Sequence, residues 1–155
     1  MAMPPSYLTP EGHQRLLEEL DYLRTTKRQE VADRLGEAMD GGEFIEDAEY
    51  EAAKNEQAFI EGRIQELSAL LANARIIENT GVHDVIQIAA KVTIQEDNND
   101  PEVYTIVGPV EADPKAGRIS YESPLGRALI DRQEGDVVPV EAPDGPFTVR
   151  ILKVE

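Results

Sequence analysis

Apolar residues recur at helical spacing from residue 8 to residue 78, a stretch with no proline after Pro10. The first stripe runs through Leu16, Leu20, Leu23, Val31, Leu35 and Ala38 and stops at Gly41-Gly42, whose backbone freedom breaks helices. Thr9 is suited to cap this helix. Pro10 fits the first helical position, where a missing N–H costs nothing, and Glu11 favours the positive helix end. A helix from Pro10 to about Met39 is expected. The second stripe, Ala53, Gln57, Ile60, Ile64, Leu67, Leu71 and Ala74, steps by alternating fours and threes, as in a coiled-coil seam. Each arm, at about 28 residues and ~1.5 Å per residue, would be ~40 Å long, and the short glycine-containing connection predicts antiparallel pairing.

The period changes after Asn79-Thr80-Gly81. Lys91-Val92-Thr93-Ile94, Val103 to Val107, Val137 to Val140 and Phe147 to Leu152 read as strands, separated by turn clusters such as Asp97-Asn98-Asn99-Asp100-Pro101 and Pro143-Asp144-Gly145. Between the second and third, Ser123 can cap a short helix opened by Pro124. The expected fold class is α+β. Residues 1–80 would form a helical hairpin with an acidic tip, and residues 81–155 a small β-sheet domain with one short helix.

Composition narrows the function. The 155 residues carry 31 acidic and 15 basic side chains, a formal net charge of -16, so independent binding to duplex DNA is not expected. Cysteine is absent, which excludes disulfide frameworks, thiolate metal sites and cysteine nucleophiles and fits the cytosol. The start, MAMPPSY, has no signal-peptide pattern and no stretch is apolar enough to span a membrane, so a cytoplasmic protein without membrane partners is expected.

The segment from Glu37 to Glu51 holds Glu37, Asp40, Glu43, Glu46, Asp47, Glu49 and Glu51 and no base. Like charges at helical neighbour spacing each disfavour the helix by a few tenths of a kcal/mol, so such crowding points to a cation or partner. A merely solvated acidic face is the competing reading. Glu43 and Glu46, three apart, would face one side of a helix and could share one cation. Phe44 and Ile45 between them are apolar residues at an exposed point. Mg²⁺ usually takes only one or two carboxylates, with its other ligands from water and phosphate.

The runs GEFIEDAEYEAAKNEQ (residues 42–57), EGRIQEL (61–67), LANARII (71–77), YTIVGPVEAD (104–113), ISYESPLGRALI (119–130) and EGDVVPVEAPDG (134–145) resemble the GreA branch of the Gre transcript-cleavage factors over nearly the whole chain. The resemblance implies an N-terminal coiled coil and a C-terminal domain of the FK506-binding-protein type. It further implies docking of the C-terminal domain at the rim of the secondary channel of bacterial RNA polymerase, with the hairpin inserted toward the active centre. There it meets the 3′ end of nascent RNA in a backtracked complex.

On that resemblance Glu43 and Glu46 help hold a second Mg²⁺, shared with polymerase and absent from the isolated protein, so that polymerase hydrolyses its own transcript by two-metal chemistry. The chain would then be an accessory factor and not itself an enzyme. It departs from the family pattern in having Glu43 where Asp is usual and Asp47 where Asn is usual. Family members with altered, acid-rich tips inhibit polymerase without promoting cleavage, which is the alternative.

Tyr50 matches a tyrosine of the family's tip, where it can support the loop or touch RNA; packing between the arms is the plain alternative. Lys54 and Arg63 are candidates for RNA phosphates, against ordinary solvation or pairing. His13 and His83 have no partner at metal-ligand or triad spacing. Ser123, Pro124 and Gly126 correspond to part of the family's polymerase-contacting surface, and also read as cap and packing residues. Prolyl isomerase or chaperone activity is a remote alternative, since the second domain offers only Tyr104, Tyr121 and Phe147 as pocket aromatics and fold analogy does not carry function.

Overall fold

A computed structural model describes residues 5–40, 48–79 and 84–155, which form two compact units. The first spans His13–Ala74, and the second combines residues 5–12 with the described part of Arg75–Glu155.

In the first unit, α1 (Pro10–Tyr22) leads through a π-helical turn (Leu23–Lys27) into α2 (Arg28–Asp40), and α3 (Ala48–Ala72) packs against them. Cross-arm pairs run Arg34 with Glu56, Arg28 with Glu61 and Arg24 with Ser68, so partner numbers rise as arm numbers fall and the arms are antiparallel. Leu20, Val31, Ile60, Ile64 and Leu67 form the buried seam, flanked by Leu16, Leu23 and Leu71. The expected single α-helix is interrupted for a legible reason. A strict 4-3 repeat from Leu16 reaches position 30, yet the buried residue is Val31, one residue late. A π turn absorbs one extra residue, which returns Val31 to the seam.

The second arm departs from the expected stripe twice. Gln57 is exposed, and α3 ends at Ala72, so Ala74 leaves the helical seam. Ala74–Ile76 instead forms β2, paired with β1 (Ser6–Leu8), and Ile77 N–H donates to Leu8 O at 2.8 Å. Leu8 is fully buried. Residues 5–12, expected with the hairpin, therefore pack with the sheet domain, and so does the chain from Arg75. The boundary residues Thr80 and Gly81 lie outside the described set.

The second unit is a five-stranded sheet ordered β5-β4-β3-β7-β6, from β3 (Lys91–Glu96), β4 (Glu102–Val107), β5 (Arg118–Ser120), β6 (Val137–Ala142) and β7 (Gly145–Val154). All neighbours are antiparallel except β4 with β5. Alternation explains which face is inside: along β6, Val138 and Val140 are buried while Val137, Pro139 and Glu141 are exposed. Pro139 is tolerated because β6 is an edge strand. Short α4 (Pro124–Leu129) covers the core face through buried Leu129 and half-buried Leu125 and Ala128. Among the described residues no helix is long and apolar enough to cross a membrane.

Candidate functional site

Charge along the hairpin is distributed unevenly. Away from the tip, three acids, Glu19, Glu56 and Glu61, pair with bases across the arms. Arg63 Nε and Nη2 donate to Glu19 at 2.9 and 3.0 Å, and its Nη1 reaches Glu66 at 3.1 Å. Arg28 grips Glu61 in the same forked way at 2.8 and 3.0 Å. Lys27, the last residue of the π turn, meets Glu56 at 3.0 Å, and Arg34 bonds the same carboxylate. The hydrogen bond and charge of Glu56 raise the Lys27 pKa; the hydrogen bonds of Lys27 and Arg34 hold Glu56 below its usual range. The hydrogen bond to Glu19 likewise raises Arg63.

Beyond Arg34 and Glu56 no ion pair is found among the described residues. Glu37, Asp40, Glu49 and Glu51 have no ion pair among the described residues, and small Ala38 and Ala53 are the buried side chains between the arms there. Arg34 lines the same cleft as Glu37 and Glu49 but is engaged by Glu56. Glu43 and Glu46, with Phe44, Ile45 and Asp47, fall outside the described residues. Among those that are described, no three carboxylates or histidines come together as metal ligands. The oxygen donors supplied by the sequence at the tip suit a hard cation such as Mg²⁺.

Tyr50 and Lys54 are brought together, one turn apart at the start of α3: the Lys54 ammonium lies 5.6 Å from the centre of the Tyr50 ring, within cation–π range. Tyr50 is half-buried and Lys54 exposed. Arg63 stands apart from them, nine residues or ~13 Å down the helix, in its network with Glu19 and Glu66.

In the second unit Ser123 Oγ accepts from Gly126 N–H at 3.1 Å and donates to Ser120 O at 2.6 Å, and Pro124 occupies the first turn, so the expected cap is present. Gly126 is buried; an added Cβ would lie 1.9 Å from Ser120 O, which only glycine permits. A feature not anticipated from sequence is the buried carboxylate of Glu111, which accepts from Thr9 N–H at 2.7 Å and from Thr9 Oγ1 at 2.6 Å. Thr9 Oγ1 in turn accepts from Gly12 N–H at 3.1 Å, the expected helix cap. Glu111 lies 102 residues from Thr9, so no local pattern could have indicated the pair.

Comparison with known proteins gives a consistent picture. Residues 6–76 match the model of the N-terminal domain of transcription elongation factors GreA/GreB, and residues 81–155 match that of the GreA/GreB C-terminal domain. Transcription elongation factor GreA of Thermoanaerobacter pseudethanolicus is 47% identical over 97% of both chains. The GreA protein of Acetivibrio thermocellus is 48% identical over 95% of this chain and 94% of its own. The crystal structure of GreA factor homolog 1 (Gfh1) of Thermus thermophilus is 31% identical, covers 97% of this chain and 99% of its own, and superposes with a TM-score of 0.45.

Proposed function

The chain belongs to the GreA/GreB family of transcription elongation factors, and from that premise we propose that it binds bacterial RNA polymerase and stimulates cleavage of backtracked RNA by polymerase itself. In this reading residues 81–155, including the segment Ser123, Pro124 and Gly126, carry the docking surface, and the hairpin delivers its tip to the active centre through the secondary channel. Glu43 and Glu46 are the residues that would hold a Mg²⁺ shared with polymerase. That cation supplies charge stabilisation and activation of a water for phosphodiester hydrolysis. Tyr50 and Lys54 stand one helical turn from each other beside the tip, where a ring and an ammonium suit a base and a phosphate of the RNA 3′ end.

The observation that carries this reading is the segregation of charge. In the shaft Glu19, Glu56 and Glu61 meet bases across the arms, although Glu18, Asp21 and Asp33 do not, while among the described residues none of Glu37, Asp40, Glu49 and Glu51 near the tip forms an ion pair. A hairpin selected only for stability gains nothing from concentrating unpaired acids at one end. A hairpin that completes a metal site in another protein requires them. Low affinity for the cation alone is then useful, because the site is assembled only in the complex and free RNA is spared.

The test separates docking from chemistry. Glu43→Ala and Glu46→Ala should compete with the unchanged protein for polymerase within about twofold, yet lower cleavage of a backtracked transcript by about 100-fold, as expected for loss of a metal-directed ligand. Equal losses of binding and cleavage would place the tip in the docking surface and refute the division of roles.

A further inference from the structure

At one end of the five-stranded sheet lies a cleft with an apolar floor and an acidic rim. Ile94, Leu125 and Phe147 form part of the floor; Glu96, Asp100 and Glu102 stand on the rim. Its position follows from strand alternation. Val92, Ile94 and Glu96 share one face of β3, and Glu102, Tyr104 and Ile106 share the matching face of β4, with Ile94 opposite Glu102. That face is the core face: Val92, Ile94 and Ile106 are buried in it. Glu96 and Glu102 therefore occupy core-facing positions at the end where α4 no longer covers the sheet.

Two details show that the rim is held in place. Tyr104 Oη donates to Glu102 Oε2 at 2.8 Å, and burial together with that carboxylate raises the tyrosine pKa. Gln95 Nε2 donates to Asn99 O at 2.8 Å, which closes the turn carrying Asp100. Among the described residues, no lysine, arginine or histidine forms an ion pair with Glu96, Asp100 or Glu102. The cleft holds about 130 Å³. Sites for cofactors and drug-sized ligands run from about 300 to 1,000 Å³, whereas a water molecule occupies about 30 Å³, so the space suits one side chain.

We propose that this cleft receives a lysine or arginine side chain of RNA polymerase, its aliphatic stem on the Ile94–Leu125–Phe147 floor and its charge among the rim carboxylates. Lysine and arginine carry that pairing of apolar stem and cationic head, and an uncompensated acidic rim excludes acidic and disfavours neutral occupants. The inference rests on polymerase being the partner and names the chemistry by which the second unit recognises it.

The experiment is competition for polymerase between the full-length protein and two charge-matched variants, Glu96→Gln/Glu102→Gln in the cleft and Glu141→Gln/Asp144→Asn at the end of the β6–β7 hairpin. Thermal melting serves as the fold control. The cleft variant should bind about tenfold more weakly, with a shallower salt dependence, and the turn variant within about twofold of the unchanged protein. If both variants weaken binding alike, the effect is that of overall charge and the cleft is not the site. Should neither weaken it while Leu125→Gln does, the occupant is apolar and the cationic assignment is wrong. An unchanged protein that fails to bind polymerase at all would instead overturn the functional reading beneath it.

Discussion

Replacing Glu111 with alanine removes the acceptor for two hydrogen bonds at the start of α1, both inside the second unit. Thr9 is 8% exposed and Glu111 6%, so water does not readily take over either role. A hydrogen bond to a charged group contributes ~1.5–3 kcal/mol, and a buried donor left unsatisfied costs ~1–3 kcal/mol. The two bonds share one carboxylate and hence one desolvation cost, so a combined loss of about 3 kcal/mol is expected. For a unit of this size about 1 kcal/mol shifts the melting midpoint by ~4–8 °C, so the midpoint should fall by roughly 12–24 °C. Glu111→Gln keeps the shape and one carbonyl acceptor and should fall by about half as much. Calorimetry on the full-length protein, following the transition that includes the sheet, checks both. A loss under about 0.5 kcal/mol for Glu111→Ala would mean that the Thr9–Glu111 contact contributes little, and that burial of Leu8 alone seats the N-terminal strand.

Further outcomes follow from other sites. Gly126→Ala must displace Ser120 O from 1.9 Å, so it should destabilise the second unit by about 2 kcal/mol or more in denaturant titration, with the hairpin transition unchanged. Because Glu56 is held below its usual value of 4.5 by Lys27 and Arg34, its share of hairpin stability is present above that value and is lost as pH falls through the lower folded pKa. Melts of the unchanged protein and Glu56→Gln should therefore differ at pH 7 and converge in acid; a constant difference would deny the ion pair any role. Glu43→Asp, which shortens the tip carboxylate by one methylene, should raise the cleavage rate if the natural side chain is poorly placed for octahedral Mg²⁺, and single-turnover cleavage measures it. Lys54→Ala should weaken cleavage of backtracked RNA by about three- to tenfold, with polymerase binding intact, if the ammonium meets a phosphate.

Sequence periodicity revealed the elements that repeat and missed those that do not. The Thr9–Pro10 start, the Ile60–Ile64–Leu67 seam and the Ser123–Pro124 cap all rest on contacts a few residues apart, and the structure contains each. Three-residue β1, β2 and β5 carry no period to detect, and their partners lie far along the chain. The π turn was legible in principle, since Val31 falls one residue late in the repeat, but a polar stretch from Arg24 to Lys27 hides the slip. For the site, the acidic run was plain in the sequence. That its described acids form no ion pair was not, because the partners that occupy Arg63, Arg28 and Arg34 lie 22 to 44 residues away. Glu43 and Glu46 themselves lie outside the described residues, so their roles stand on the charge pattern around them and on family membership.

The central claim is tested most directly by following the transcript in a stalled, backtracked polymerase complex across a range of Mg²⁺ concentrations, with and without the full-length protein. Shortened RNA that is re-extended on addition of nucleotides, appearing at lower Mg²⁺ when the protein is present and lost with Glu46→Ala, is the predicted result. No cleavage at any Mg²⁺ concentration, with elongation slowed by the unchanged protein, would contradict it and identify a secondary-channel inhibitor instead.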